Sequence, residues 1–186
     1  MRYMVSKVQA SILCAASYVM VSLPAMAFPE GSQPKLTGGQ GFEDCSSCHF
    51  AGPAKTETSG IQLHGLAEQM VPGELYRFTL EVRDPEQRVG GFQLAFRDLA
   101  TGASVGELEE GEGQHKLKHE NVEFLAHSKP QQAQETDGER HTRWEFVWRA
   151  AAAEELEVSV AAVAGDGDDS SLGDNVYTFS RILTTN

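Results

Sequence analysis

Leu75-Tyr76-Arg77-Phe78-Thr79-Leu80-Glu81-Val82 places Tyr76, Phe78, Leu80 and Val82 at every second position, with Arg77, Thr79 and Glu81 between them. Successive side chains of a strand point to opposite faces, so this period of two predicts a strand with one apolar face and one polar face. Phe92, Leu94 and Phe96 alternate in the same way with Gln93, Ala95 and Arg97, and Trp144, Phe146 and Trp148 with Glu145, Val147 and Arg149. Val158, Val160 and Ala162 form another such set, and Val176, Tyr177 and Phe179 mark a last strand. The 3.6-residue apolar stripe of an amphipathic helix is almost absent.

Turn residues separate these runs: Val71-Pro72-Gly73, Asp84-Pro85, Thr101-Gly102, Gly111-Glu112-Gly113, Asp137-Gly138 and Gly165-Asp166-Gly167. Short alternating strands at this spacing predict an all-β sandwich. Ile61–Leu66 partly alternates and is expected to form a first strand. Ala150–Leu156 has the composition of a brief helix or a loop. Residues 28–58 are rich in Gly, Pro and polar side chains and are expected to be irregular, giving a signal segment at 1–27, an irregular segment at 28–58 and a sandwich domain at 59–186.

The N-terminus supports an export signal. Arg2 and Lys7 precede an apolar stretch from about Ala10 to Leu23, and Pro24-Ala25-Met26-Ala27 supplies small residues before a cut after Ala27. The stretch is shorter than the roughly 20 residues that span a bilayer, and Leu13 before Cys14 is too large for a lipoprotein signal. Cleavage leaves 159 of the 186 residues, enough for one domain with a proper core. It removes two basic and no acidic residues, taking the formal net charge from −12 to −14, which disfavours nucleic acid and anionic lipid and is compatible with a basic protein partner. The expected location is periplasmic or secreted, with no membrane span after cleavage.

Two mature cysteines stand in Cys45-Ser46-Ser47-Cys48-His49. C-x-x-C-H is the attachment motif of c-type haem: two thiols bond the macrocycle and the adjacent imidazole ligates its iron. Three rivals fit less well. A thioredoxin-like redox pair follows a buried strand and opens a helix, whereas this run lies between Thr37-Gly38-Gly39-Gln40-Gly41 and Ala51-Gly52-Pro53, which is loop composition. A zinc site lacks a second C-x-x-C, and a local disulfide needs no histidine. One covalent haem c is therefore expected, on Cys45 and Cys48, with His49 as proximal iron ligand.

The sixth-ligand candidates are His64, Met70, His115, His119, His127 and His141. His115 and His119 fall in a charged stretch, Glu110–Glu120, that reads as a solvated loop and strand entry. His141, beside Arg140 and Arg143, reads as a surface residue. Met70 before Val71-Pro72-Gly73 has the character of a ligand or of core filler. His127 stands where the apolar run Val122–Leu125 gives way to Ser128-Lys129-Pro130, a position that can hold a ligand in fixed geometry. The acidic run Asp166–Asp174 invites calcium but lacks the order of an EF-hand, and a solvated turn fits it better. The Trp144, Phe146, Trp148 ladder reads as sandwich core rather than a cofactor wall.

Val71-Pro72-Gly73-Glu74-Leu75-Tyr76-Arg77-Phe78-Thr79-Leu80, Gly91-Phe92-Gln93-Leu94, Trp144-Glu145-Phe146-Val147-Trp148-Arg149-Ala150 and Gly173-Asp174-Asn175-Val176-Tyr177 resemble the Reeler-like domains of exported bacterial proteins known as choice-of-anchor V, many of which begin with C-x-x-C-H. The likeness runs from about Phe42 to the C-terminus. It implies an immunoglobulin-like sandwich with a His-Thr/Ser step in the strand before the Trp-containing one. Here Ala126-His127-Ser128 occupies that place, which favours His127 over Met70 as distal ligand. The C-terminal sorting segment of many relatives is absent, which implies a soluble member.

No Ser-His-Asp arrangement or phosphate-cradling glycine loop stands out, and the carboxylates show no spacing that selects a catalytic pair. The leading expectation is a monohaem electron carrier with a redox protein partner. The alternatives are an extracytoplasmic protein- or glycan-binding or haem-based sensing module, and a haem enzyme with an open distal side.

Overall fold

The computed structural model describes residues 30–56 and 59–185. The signal segment 1–27, Cys14 and the cleavage after Ala27 lie outside the described residues.

Thirteen strands are present among them: β1 Lys55–Thr56, β2 Ile61–His64, β3 Gln69–Met70, β4 Leu75–Arg83, β5 Val89–Asp98, β6 Glu107–Glu109, β7 Gln114–His119, β8 Val122–His127, β9 Gln131–Gln132, β10 Gln134–Thr136, β11 Glu139–Arg149, β12 Leu156–Gly165 and β13 Asn175–Thr185. They form two sheets. The larger runs β1-β13-β12-β5-β8-β7, with β3 on β13 and β9 on β5; the smaller runs β10-β11-β4-β2, with β6 on β11. This is the all-β sandwich that the alternating sequence predicts.

The inward face of each strand supplies the core. Phe78, Leu80, Val82, Phe92, Leu94, Phe96, Trp144, Phe146 and Trp148 are all buried in one cluster. Trp148 stacks on Phe96 with ring centroids 4.2 Å apart, and its indole N–H donates to the Val105 carbonyl at 3.1 Å. The aromatic ladder is therefore sandwich core. The β10–β11 hairpin turns through Asp137-Gly138, both with positive φ (54° and 81°), the two-residue turn whose twist matches the flanking strands. Ala150–Leu156 joins β11 to β12 as a loop that enters β12 at Leu156, because each flanking strand takes its backbone hydrogen bonds from a neighbouring strand.

Burial departs from simple alternation on one face. Along β5 from Gly90 to Phe96, and along β12 from Leu156 to Ala162, every residue is buried, including the outward-facing Gln93, Ala95, Ser159 and Ala161. The N-terminal segment lies over this face. The Gln93 amide accepts from Leu36 N–H at 2.7 Å and donates to the Gln33 carbonyl at 2.8 Å and the Ser32 hydroxyl at 2.9 Å. Ser159 pairs with the Thr37 hydroxyl at 2.9 Å. The buried Glu157 carboxylate accepts from Gln40 N–H at 3.1 Å, Ser180 at 2.8 Å and Arg97 at 3.0 Å. Gln93, Glu157 and Ser159 on the outer face thus each meet partners in the segment or on a neighbouring strand, as buried polar groups generally do. The segment is irregular within itself but fixed in place, and β1 ties its far end to β13 in parallel.

Candidate functional site

The segment turns once at Cys45–Ser47, a 3-10 turn capped by Asp44, whose carboxylate accepts from Ser46 N–H at 2.7 Å. Cys48 N–H and His49 N–H both donate to the Cys45 carbonyl, at 3.2 and 3.0 Å. Positions three and four apart on a helical turn share a face, so Cys45, Cys48 and His49 come together there. This is the local reason that the motif's spacing works.

Cys45 is buried against Ala161 and Val176, the outward side chains of β12 and β13. Burial, followed by the charges of Asp44 and Cys48, pushes its thiol up to about 12. A thiolate is the form that attacks disulfides or binds zinc, and this environment suppresses it. A neutral sulfur, as in a thioether, is what the pocket tolerates. Cys45 and Cys48 are not joined in a disulfide.

His49 Nδ1 lies 2.6 Å from Asp174 Oδ2, with the two side chains only 18% and 5% exposed. Asp174 closes the loop between β12 and β13, and it also accepts from Asp166 N–H at 3.3 Å. A carboxylate on one imidazole nitrogen fixes the tautomer and ring orientation and makes the other nitrogen a better metal ligand. The pair is 125 residues apart in sequence, which is why the motif alone did not reveal it. Asp174 does stand in the Gly173–Tyr177 run that carries the family resemblance, at the end of the acidic stretch, and that position was the available signal.

The turn walls a cavity of about 430 Å³, within the range of small-molecule and cofactor sites. Cys45, Cys48 and His49 form part of its lining, and Gly91, Phe92 and His127 form another part. His127 ends β8, and its ring lies over Gly91, where an added Cβ would come within 2.5 Å of it. Its Nδ1 is 3.0 Å from Phe92 N and 3.1 Å from Phe92 O, so either tautomer finds a backbone partner there. Phe92 reaches from the aromatic core to the cavity, with its ring centroid 5.1 Å from that of Trp144.

The other sixth-ligand candidates lie elsewhere. Met70 is fully buried in the main core and sits opposite Thr185 at the C-terminal end of β13. Asp174 adjoins the other end of that strand, about 30 Å away at strand rise. The structure does not bring Met70 to the cavity. His64 faces outward from the smaller sheet, 3.2 Å from Glu81. His141, expected at the surface, is buried at 3% exposure, because the β10 hairpin and β4 flank it on both sides. His115 and His119 lie on β7, where the charged stretch enters a paired strand, and neither lines the cavity.

In the acidic run, Asp166 accepts from Asp168 N–H at 3.0 Å and Asp168 from Ser170 N–H at 2.8 Å. These carboxylates cap their own turn. Among the described residues no group of three or more His, Cys, Asp or Glu is arranged to hold a metal ion. The groups lining the cavity are instead two sulfurs and two imidazoles around a mostly apolar space, with Leu36, Phe92 and Val163 among its walls. That chemistry fits a haem.

The crystal structure of the human F-spondin Reeler domain is similar to this chain, with a TM-score of 0.50, 18% identity, and coverage of 71% of this chain and 92% of that domain. The fold is Reeler-like. The Reelin-N domain of F-spondin is similar at a TM-score of 0.49, again with 18% identity, over 71% of this chain and 89% of that one. No protein-family model and no curated protein matches the sequence. Among the described residues no helix is long and apolar enough to cross a membrane.

Proposed function

We propose that this protein is an exported monohaem c-type cytochrome that transfers electrons, with its haem seated on a Reeler-like sandwich. The single observation that carries the reading is the cavity in which Cys45, Cys48 and an Asp174-oriented His49 share a lining with His127. When bound, haem supplies an iron that cycles between ferrous and ferric by one electron. Cys45 and Cys48 would each end as a thioether, and His49 would be the proximal ligand. His127 would be the distal ligand, held by its backbone contact at Phe92. The apolar wall of Phe92, Leu36 and Val163 would limit water at the site and thereby favour the less charged ferrous state.

Export to the periplasm or beyond belongs to the same proposal, resting on the N-terminal signal pattern, as does the choice-of-anchor V resemblance with its N-terminal C-x-x-C-H.

The test is expression in a cell with c-type maturation machinery, followed by haem staining and a pyridine haemochrome assay. One covalent haem per chain is expected. A haem-free product with a Cys45–Cys48 disulfide would overturn the proposal. Spectra should show six-coordinate low-spin iron that resists carbon monoxide, and His127→Ala should convert it to high spin. A high-spin wild-type protein that takes up the gas readily would favour the sensing module instead.

A further inference from the structure

Immediately after His49 the chain leaves the cavity and exposes apolar surface. Phe50 is 52% exposed, and Ala51 and Pro53 are exposed beside it. Phe50 does not dangle. It pairs in parallel with Leu172, its N–H donating to the Ser171 carbonyl at 2.8 Å and its carbonyl accepting from Gly173 N–H at 3.1 Å. Leu172 is 59% exposed, so two large apolar side chains are held side by side in water by a rigid backbone bridge. The Leu172 loop is the one whose Asp166, Asp169 and Asp174 line the cavity and whose Asp174 orients His49.

The surroundings are acidic. Asp166, Asp168 and Asp169 are exposed on the same loop, and Glu43 is exposed next to the Cys45 turn. Arg88 lines the cavity and Arg88 and Arg140 both stand near Asp166 and Asp168, but the chain as a whole carries a formal charge of −12. An apolar centre with a charged rim is the anatomy of a protein interface, and contiguous exposed apolar patches rimmed by polar residues mark interaction surfaces. A second copy of this chain would set acidic rim against acidic rim, which repels.

The geometry points to Phe50 and Leu172 as the apolar centre of a docking surface for a basic redox protein, one whose own contact face is apolar and ringed by Lys or Arg. The inference rests on the electron-transfer reading. It adds where the electron leaves: through the edge next to His49, the first exposed point along the chain from a ligand of the proposed iron. Attraction between the rim and a basic face speeds encounter, and the apolar pair holds the docked complex.

The test uses the haem-loaded protein and a basic cytochrome c as probe, with the second-order electron-exchange rate read by stopped flow. Phe50→Ser combined with Leu172→Ser should slow exchange with the probe by about tenfold, while reduction by ascorbate stays unchanged. Asp168→Asn with Asp169→Asn should weaken the dependence of the rate on ionic strength, which in the wild type should exceed tenfold between low and high salt. An unchanged probe rate in the Phe50/Leu172 variant overturns the inference, as does an equal slowing with ascorbate or a salt-independent wild-type rate. Dimerisation through the patch, seen as a Phe50- and Leu172-dependent mass change in sedimentation, would also overturn it. Absence of covalent haem would be a failure of the electron-transfer reading itself, and the haemochrome assay detects that separately.

Discussion

Gly91→Ala isolates the contact between His127 and Gly91, which would set the distal side of the proposed haem. A Cβ at position 91 would lie 2.5 Å from His127 Cε1, 2.8 Å from Nε2 and 2.9 Å from Nδ1. Non-bonded carbon atoms rest at roughly 3.5–4.0 Å, so the ring must retreat by about 1 Å. Gly91 is not among the positive-φ glycines, so alanine adds no backbone strain and the effect is purely steric. Overpacking of this kind costs about 1–3 kcal/mol. At roughly 2–4 °C per kcal/mol for a domain of this size, melting should fall by roughly 2–12 °C. Metal–ligand bonds hold to within about 0.2 Å, so if His127 is the distal ligand of the proposed haem, a ring displaced by about 1 Å would no longer ligate. The assay is thermal denaturation of the haem-free protein together with visible spectra of the loaded one, where a high-spin fraction should appear. Gly111→Ala, facing the flexible end of Gln114 at 3.1 Å, serves as control and should stay within about 0.5 kcal/mol. If Gly91→Ala melts like the control and keeps a low-spin spectrum, the His127 ring does not lie over Gly91 and is not the distal ligand.

Two further outcomes are expected. In the haem-free folded protein, burial of the Cys45 thiol should make its alkylation at pH 8 at least tenfold slower than in urea-unfolded chain, measured by mass spectrometry of iodoacetamide adducts; equal rates would refute the burial and reopen the redox-dithiol reading. Burial disfavours ionised Glu81, but hydrogen bonds and charge from Arg83 and Arg143 outweigh it and hold its carboxyl below the usual range. A folded-state value below the unfolded one means the stabilisation is complete above the unfolded carboxylate range, near about 4.3, and is lost as pH falls through the lower folded value. Glu81→Gln should therefore cost about 1 kcal/mol at pH 7, discounted for the exposed arginines, and progressively less below pH 4. Urea titrations at pH 7 and pH 3 check this, and an identical cost at both would refute it.

Much of the sandwich was legible because strand periodicity is local: Tyr76, Phe78, Leu80 and Val82 declare their face within eight residues, and Asp137-Gly138 declares its turn. The Cys45, Cys48, His49 grouping was legible for the same reason, since one turn of chain brings it together. The misread positions are those where a distant element decides burial. His141, close to Arg140 and Arg143, has a surface pattern, yet it is buried at its place between the pairing strands β10 and β4.

By itself the sequence determined the strands, the grouping of Cys45, Cys48 and His49 on one turn and the acidic balance, all properties of neighbouring residues. Only the tertiary structure decided that Gln93, Glu157 and Ser159, polar and outward-facing, would be buried by the N-terminal segment, and that Met70 would end in the core far from the cavity. It also decided that His49 would find Asp174 and share a cavity lining with His127. Those pairings join residues that no local pattern links: buried polar groups must find partners wherever the chain supplies them, and the β-sandwich brings sequence-distant strands to the same edge.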